Sequence, residues 1–208
     1  RQRQMCIRDR AFIARVNYHG VKGLRVGASF YYNQTAKNGT KPWRNTGYKF
    51  PVTIVTGDLQ YKGFNNNLIV RGNAVYGNLG ASGALTTINN SSSAASGYPN
   101  TTVAQNAVSY GGEAGYNISS FFNSKAPRIY PFIRYEYYNP MEKTEANTGL
   151  LADKRFQVSA VTAGLNYYAL PNLVIKADYT HRSIGGGKYN DENLVSVGIA
   201  YIGWFIKK

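Results

Sequence analysis

In the segment NLVIKADYTHR, Asn172 to Arg182, the charged residues Lys176, Asp178 and Arg182 are separated by two and four positions. An extended backbone puts all three on one side, because successive side chains of a strand alternate between faces. An ammonium and a guanidinium on such a strip can hold an oxyanion, the guanidinium through two parallel N–H groups. A carboxylate between them can neutralise either one. The segment PFIRYEYYNP repeats the arrangement with Arg134 and Glu136 two apart. Two readings stay open for each pair: a brace in which the charges satisfy each other, or a field that acts on solutes. Arg15, Arg25 and Arg71 have no opposite charge at that spacing and are the better candidates for a free field, with Glu113 completing the set.

Other chemistry finds little support. His19 and His181 lie at the ends of extended segments with no repeated His or carboxylate spacing, so no metal site is expected. Cys6 is the only cysteine, which excludes an intramolecular disulfide and a Cys-rich zinc site. Ser, His and Asp are present without a nucleophile elbow, and Gly185 to Gly187 form neither a dinucleotide nor a phosphate loop. No enzyme activity and no cofactor is expected. The net charge of +14 favours an anionic partner: nucleic acid, an anionic lipid surface or small anions. A nucleic-acid binder would cluster aromatic and basic residues on one strand pair, and no such cluster is present.

The elements that must position these residues are strands. Aromatics reach 14%, with 18 Tyr, and β-branched and aromatic runs alternate between Gly and Asn. Alternation between turn signals predicts nine strands: Ala11 to His19, Leu24 to Asn33, Val52 to Tyr61, Leu68 to Leu79, Ala107 to Ile118, Ile129 to Tyr138, Phe156 to Tyr168, Leu173 to Arg182 and Leu194 to Phe205. Globular strands cluster near ~5–6 residues, whereas membrane-spanning strands need ~9–11. The predicted strands have the second length. Short connections such as GVKG, KGFNNN and ALPN alternate with longer ones, including the 89–96 Ser, Asn and Ala tract, which reads as a flexible loop tip. Short turns therefore gather at one end and long loops at the other, the asymmetry of a transmembrane barrel.

Each strand has an apolar side, as with Leu173, Ile175, Ala177 and Tyr179. Tyrosines gather toward strand ends at Tyr18, Tyr32, Tyr61, Tyr76, Tyr116, Tyr137, Tyr167, Tyr179 and Tyr201, the pattern of aromatic girdles at two lipid interfaces. No run approaches the ~18 apolar residues of a transmembrane helix, so a membrane role requires a barrel. The expected fold is all-β: a transmembrane antiparallel up-and-down β-barrel. Its polar face would line a lumen carrying Arg15, Arg25, Arg71, Arg134, Lys176 and Arg182 against Glu113, Glu136 and Asp178. Loop lysines such as Lys37, Lys41 and Lys143 are expected to be solvated or to face lipopolysaccharide.

The segments PFIRYEYYNP, GLNYYALPNLVIKADY and VSVGIAYIGWF resemble the C-terminal half of the phosphate-selective porin O and P family of Gram-negative outer-membrane proteins. The resemblance implies a sixteen-stranded, trimeric, anion-selective porin, of which about nine strands are present. It also implies an outer-membrane location. The chain departs from the family in ending Phe205-Ile206-Lys207-Lys208 rather than on an aromatic residue, and nothing matches the family's phosphate-site positions, so phosphate specificity does not carry over. A small closed barrel of eight or ten strands, serving as an anchor or adhesin, is the alternative. Residues 1–10 are set apart: MCIRDR resembles a translated sequencing adapter. Without their four arginines and one aspartate the net charge falls from +14 to +11 and remains strongly basic. The domain proper is 11–208, with further strands expected upstream.

Overall fold

A computed structural model describes residues 11–35, 49–91, 102–122, 127–145 and 151–201. Its strands are β1 (Ala11–Tyr18), β2 (Leu24–Thr35), β3 (Phe50–Gly63), β4 (Leu68–Leu79), β5 (Asn106–Tyr116), β6 (Arg128–Lys143), β7 (Val158–Leu170), β8 (Leu173–Ile184) and β9 (Asp191–Tyr201). They form one sheet in sequence order, each antiparallel to its chain neighbours. β1 and β9 are its two edges and run in the same direction. No described helix is long and apolar enough to cross a membrane.

All nine expected strands are present, and their limits differ for physical reasons. β6 was expected to stop at Tyr138, before the Asn-Pro pair, but it continues to Lys143. Pro140 sits where the β5–β6 register shifts, and a bulge accommodates its missing N–H. There Asn139 Oδ1 accepts the Met141 N–H at 3.1 Å and Asn139 Nδ2 donates to Glu142 at 2.7 Å. Ile118 and Phe156, expected within strands, belong to single 3₁₀ turns. Helix α1 (Ser82–Ser91), in the connection after β4, was not foreseen; it takes up the start of the tract read as a loop tip, and 92–101 lies outside the described residues. So do 1–10, Lys37, Lys41 and Phe205.

The short-turn end is tied together by polar groups. Phe64, Asn65 and Asn66 have φ of 50°, 54° and 67°, a left-handed run that asparagine tolerates better than most residues. It presents Asn67 to Asn117, whose backbone N–H donates to Asn67 O at 2.8 Å while its amide donates to Asn67 Oδ1 at 3.0 Å. In the turn before β2, Gly23 at φ +81° accepts the Lys62 N–H at 2.8 Å. A Cβ on Gly23 would collide with the Lys62 carbonyl.

The two faces of the sheet invert the usual pattern of burial. On β7, Val158, Ala160 and Thr162 are buried while Val161 and Leu165 on the opposite side are exposed. On β9, Val195, Val197 and Ile199 are 73%, 75% and 72% exposed. Following the register, Phe12, Val16, Phe30, Val55, Tyr76, Tyr110, Ile133 and Tyr135 share that exposed apolar face. All nine tyrosines expected at strand ends lie on it too, and Tyr110 stacks on Tyr137 at 4.9 Å.

Candidate functional site

The register places all nine expected site residues on the other face. One lateral row crosses seven strands as Arg25, Gln60, Arg71, Glu113, Arg134, Thr162 and Thr180. The next row toward the long loops contains Asp58, Asn73, Gly111, Glu136, Ala160, Arg182 and Glu192. Arg15 stands one step beyond it, and Asp178 and Lys176 lie on the short-turn side. Strict alternation fixed the face of each residue, so reading parity along each strand sufficed to bring them together.

Their pairing differs from expectation. Neither Arg134 with Glu136 nor Lys176 with Asp178 forms an ion pair among the described residues. Arg134 reaches across to β5 instead, donating from Nε and Nη2 to Glu113 Oε2 at 2.9 and 2.5 Å. Arg71 approaches the same carboxylate from β4 at 3.4 Å. Residues two apart on a strand are ~6.6 Å apart along its axis, whereas directly opposed neighbours lie ~4.5–5.5 Å apart, so the lateral partner wins. Thr162 and Thr180 continue the row with a 2.8 Å hydroxyl contact.

Arg15 and Arg71 were expected to be free, and both are compensated. Arg15 spans β2 to Asp58 on β3 at 2.7 Å, and also donates to Ser29 at 3.0 Å and Asn17 at 3.1 Å. The crossing depends on Gly27, buried directly beneath, where a Cβ would fall on Arg15 Nη2 and Asp58 Oδ2. Arg182 pairs with Glu192 at 3.0 Å. Of the expected cations only Arg25 and Lys176 have no carboxylate partner among the described residues.

Two of the recesses among the described residues differ in charge. One, of about 220 Å³, lies over Gly111 between Arg71, Asn73, Glu113, Arg134 and Glu136. Its charges are mixed, two guanidinium groups against two carboxylates. The second, of about 300 Å³, lies at the short-turn rim and is lined by His19, Lys22, Arg25, Gln60 and Lys62 with Val21, Gly23 and Leu24. No carboxylate lines it.

Asp58, Glu192, Lys22 and Lys62 were missed as site residues. Asp58 and Lys62 share the parity of the β3 polar face, two residues either side of Gln60, and that signal was available. Glu192 lay outside the expected strand, and Lys22 was in a turn. No protein-family model matches the chain, and no curated protein does.

Proposed function

We propose that this sheet is part of a transmembrane β-barrel of the bacterial outer membrane, through which small polar solutes diffuse with preference for anions. The observation that carries the reading is the inverted burial. Leaving a Val, Leu, Ile or Phe side chain in water rather than burying it forgoes about 1.5–3 kcal/mol, and one face of the sheet exposes many such side chains, Val195, Val197 and Ile199 among them. Lipid against that face removes the penalty and water against the other solvates the charges. Strands of 8 to 16 residues and two margins of tyrosine support the same arrangement. Because β1 and β9 run in the same direction, antiparallel closure requires an odd number of further strands.

Anion preference is supported by the polar face, where among the described residues Arg25, Lys62 and Lys176 have no carboxylate at ion-pair distance. The resemblance to the phosphate-selective porin family adds a homotrimer and contact with lipopolysaccharide to the proposal. The test is the reversal potential across a planar bilayer under a salt gradient. A potential of the sign set by anion permeability is expected, and cation preference would overturn the proposal.

A second reading is a closed, non-conducting barrel that serves as an anchor. It is favoured by one observation, the ion pairs that brace the polar face. Stable insertion with no conductance would select it.

A further inference from the structure

We propose that the recess over Gly111 is a binding site for a small dissolved zwitterion of the α-amino acid class, its ammonium on Glu136 and its carboxylate on Arg71. Two lateral rows build it. Asn73, Gly111 and Glu136 are register partners across β4, β5 and β6 in one row, and Arg71, Glu113 and Arg134 in the next. Gly111, at the centre of the first row, keeps the floor open: a Cβ there would come within 3.4 Å of Glu136 Cγ and 3.6 Å of Asn73 Oδ1. The volume of about 220 Å³ lies below the ~300 Å³ at which drug-sized pockets begin, which suits a solute of a few heavy atoms.

The charges of the recess balance in number but not in pairing. Arg134 is committed to Glu113, to which it donates from both Nε and Nη2. Arg71 meets the same carboxylate with one nitrogen at 3.4 Å, and its side chain is 57% exposed, which leaves most of its N–H donors for a solute. Glu136 has no ion pair among the described residues, because its lateral neighbours are Gly111 and Ala160 and neither carries a charge. A free carboxylate and an under-used guanidinium thus stand on strands ~9.6 Å apart, two spacings of ~4.8 Å. A lone anion between them meets Glu136, and a lone cation meets Arg71. A solute that carries both charges satisfies both. The guanidinium takes a carboxylate through two parallel N–H groups, Glu136 accepts from an ammonium, and the Asn73 amide supplies a neutral donor and acceptor beside them. The recess lies on the polar face, opposite the apolar surface, which assigns it to a dissolved solute rather than to the headgroup of a zwitterionic lipid.

This inference deepens the porin reading by naming a solute class, and rests on it only in taking the polar face as the wet side. Its test uses the full chain refolded in nonionic detergent at low ionic strength, with L-alanine as the probe and saturation-transfer NMR as the readout. Saturable binding is expected, with acetate and methylammonium, which carry one charge each, at least about fivefold weaker. Glu136→Gln and Arg71→Gln should each weaken L-alanine binding by about fivefold, the upper range for a partly exposed charge pair. Glu136→Asp keeps the charge and should retain binding. Lys176→Gln removes an unpaired cation elsewhere on the same face and should change binding by less than about twofold, because screening limits distant charges. Absence of saturable binding, or an equal loss in Lys176→Gln, would overturn the site. Acetate binding as tightly as L-alanine would overturn it in favour of an anion site, and methylammonium doing so in favour of a cation site. Displacement of L-alanine by short-chain phosphatidylethanolamine at lower concentration than by glycine would overturn the dissolved-solute assignment. Saturable binding in a chain that shows no bilayer conductance supports the site while removing the pore, and conductance without binding removes the site while leaving the pore.

Discussion

The middle and the rim of the polar face use the same residue types to opposite ends. Across β4, β5 and β6, Arg71 and Arg134 converge on Glu113, so two cations share one carboxylate and the side chains hold one another in place. Across the ends of β2 and β3, Arg25 faces Gln60 at the corresponding position of the same lateral row, and Lys22 and Lys62 add charge with no acid among the described residues to absorb it. The difference comes down to one position in the row: a glutamate on β5 where β3 has a glutamine. Arginine content therefore says little about where an anion would dwell. The neighbour one strand away decides it.

That contrast can be broken from either side. Gly23→Ala should have the largest effect, because it forces a left-handed φ on a residue with a Cβ and drives that Cβ against the Lys62 carbonyl. A loss of about 2–3 kcal/mol is expected, read as a lower urea midpoint of the refolded chain. Glu113→Gln should make the middle resemble the rim. Its ion pairs are partly exposed, so the stability loss should stay near ~1 kcal/mol, while the reversal potential moves further toward anions. No shift in reversal potential would mean that the Glu113 network does not face permeating ions.

An ion pair outside both regions supplies the reference. Before β7, Asp153 caps a 3₁₀ turn by accepting the Arg155 N–H at 2.9 Å and pairs with the Arg155 guanidinium at 2.6 Å. Hydrogen bonds from Arg155 hold the Asp153 carboxyl below its ordinary value of 3.8. A depressed folded-state value means that the contribution is complete above the unfolded value and is lost as pH falls through the folded one. The stability difference between Asp153→Asn and the parent chain should therefore be constant from about pH 5 to 8 and shrink below about pH 4, measured by urea midpoints. A dependence near neutrality would point to a different group.

Much of this was legible in the sequence, because a strand exposes its faces by simple alternation. Lys176, Asp178 and Arg182 are placed on one side by counting, and the same count puts Arg25, Arg71 and Arg134 with them. Partners were not legible: Glu113 is 21 residues from Arg134, and Asp58 is 43 from Arg15. Those distances in sequence become contacts only once register is fixed, and register depends on turns such as the left-handed run at Phe64 to Asn66. Pro140 misled for a related reason. Next to Asn139 it carries the signature of a turn, and only the bulge in the β5–β6 ladder shows that the strand passes through it. Helix α1 escaped because SGALTTINNS has no apolar stripe strong enough to announce it.

The strictly sequential order of the sheet bears on how the chain assembles. Every ladder joins consecutive strands, so each can form by closing only the segment between them. The entropy of that closure rises by about 0.6 kcal/mol for each doubling of length. Two residues separate β7 from β8 and four separate β3 from β4, against 26 between β4 and β5. Assembly should therefore begin as separate hairpins at the short turns. The β4–β5 ladder, which sets Arg71 against Glu113, would be the slowest to zip, and the charge compensation of the middle would be among the last native features to appear.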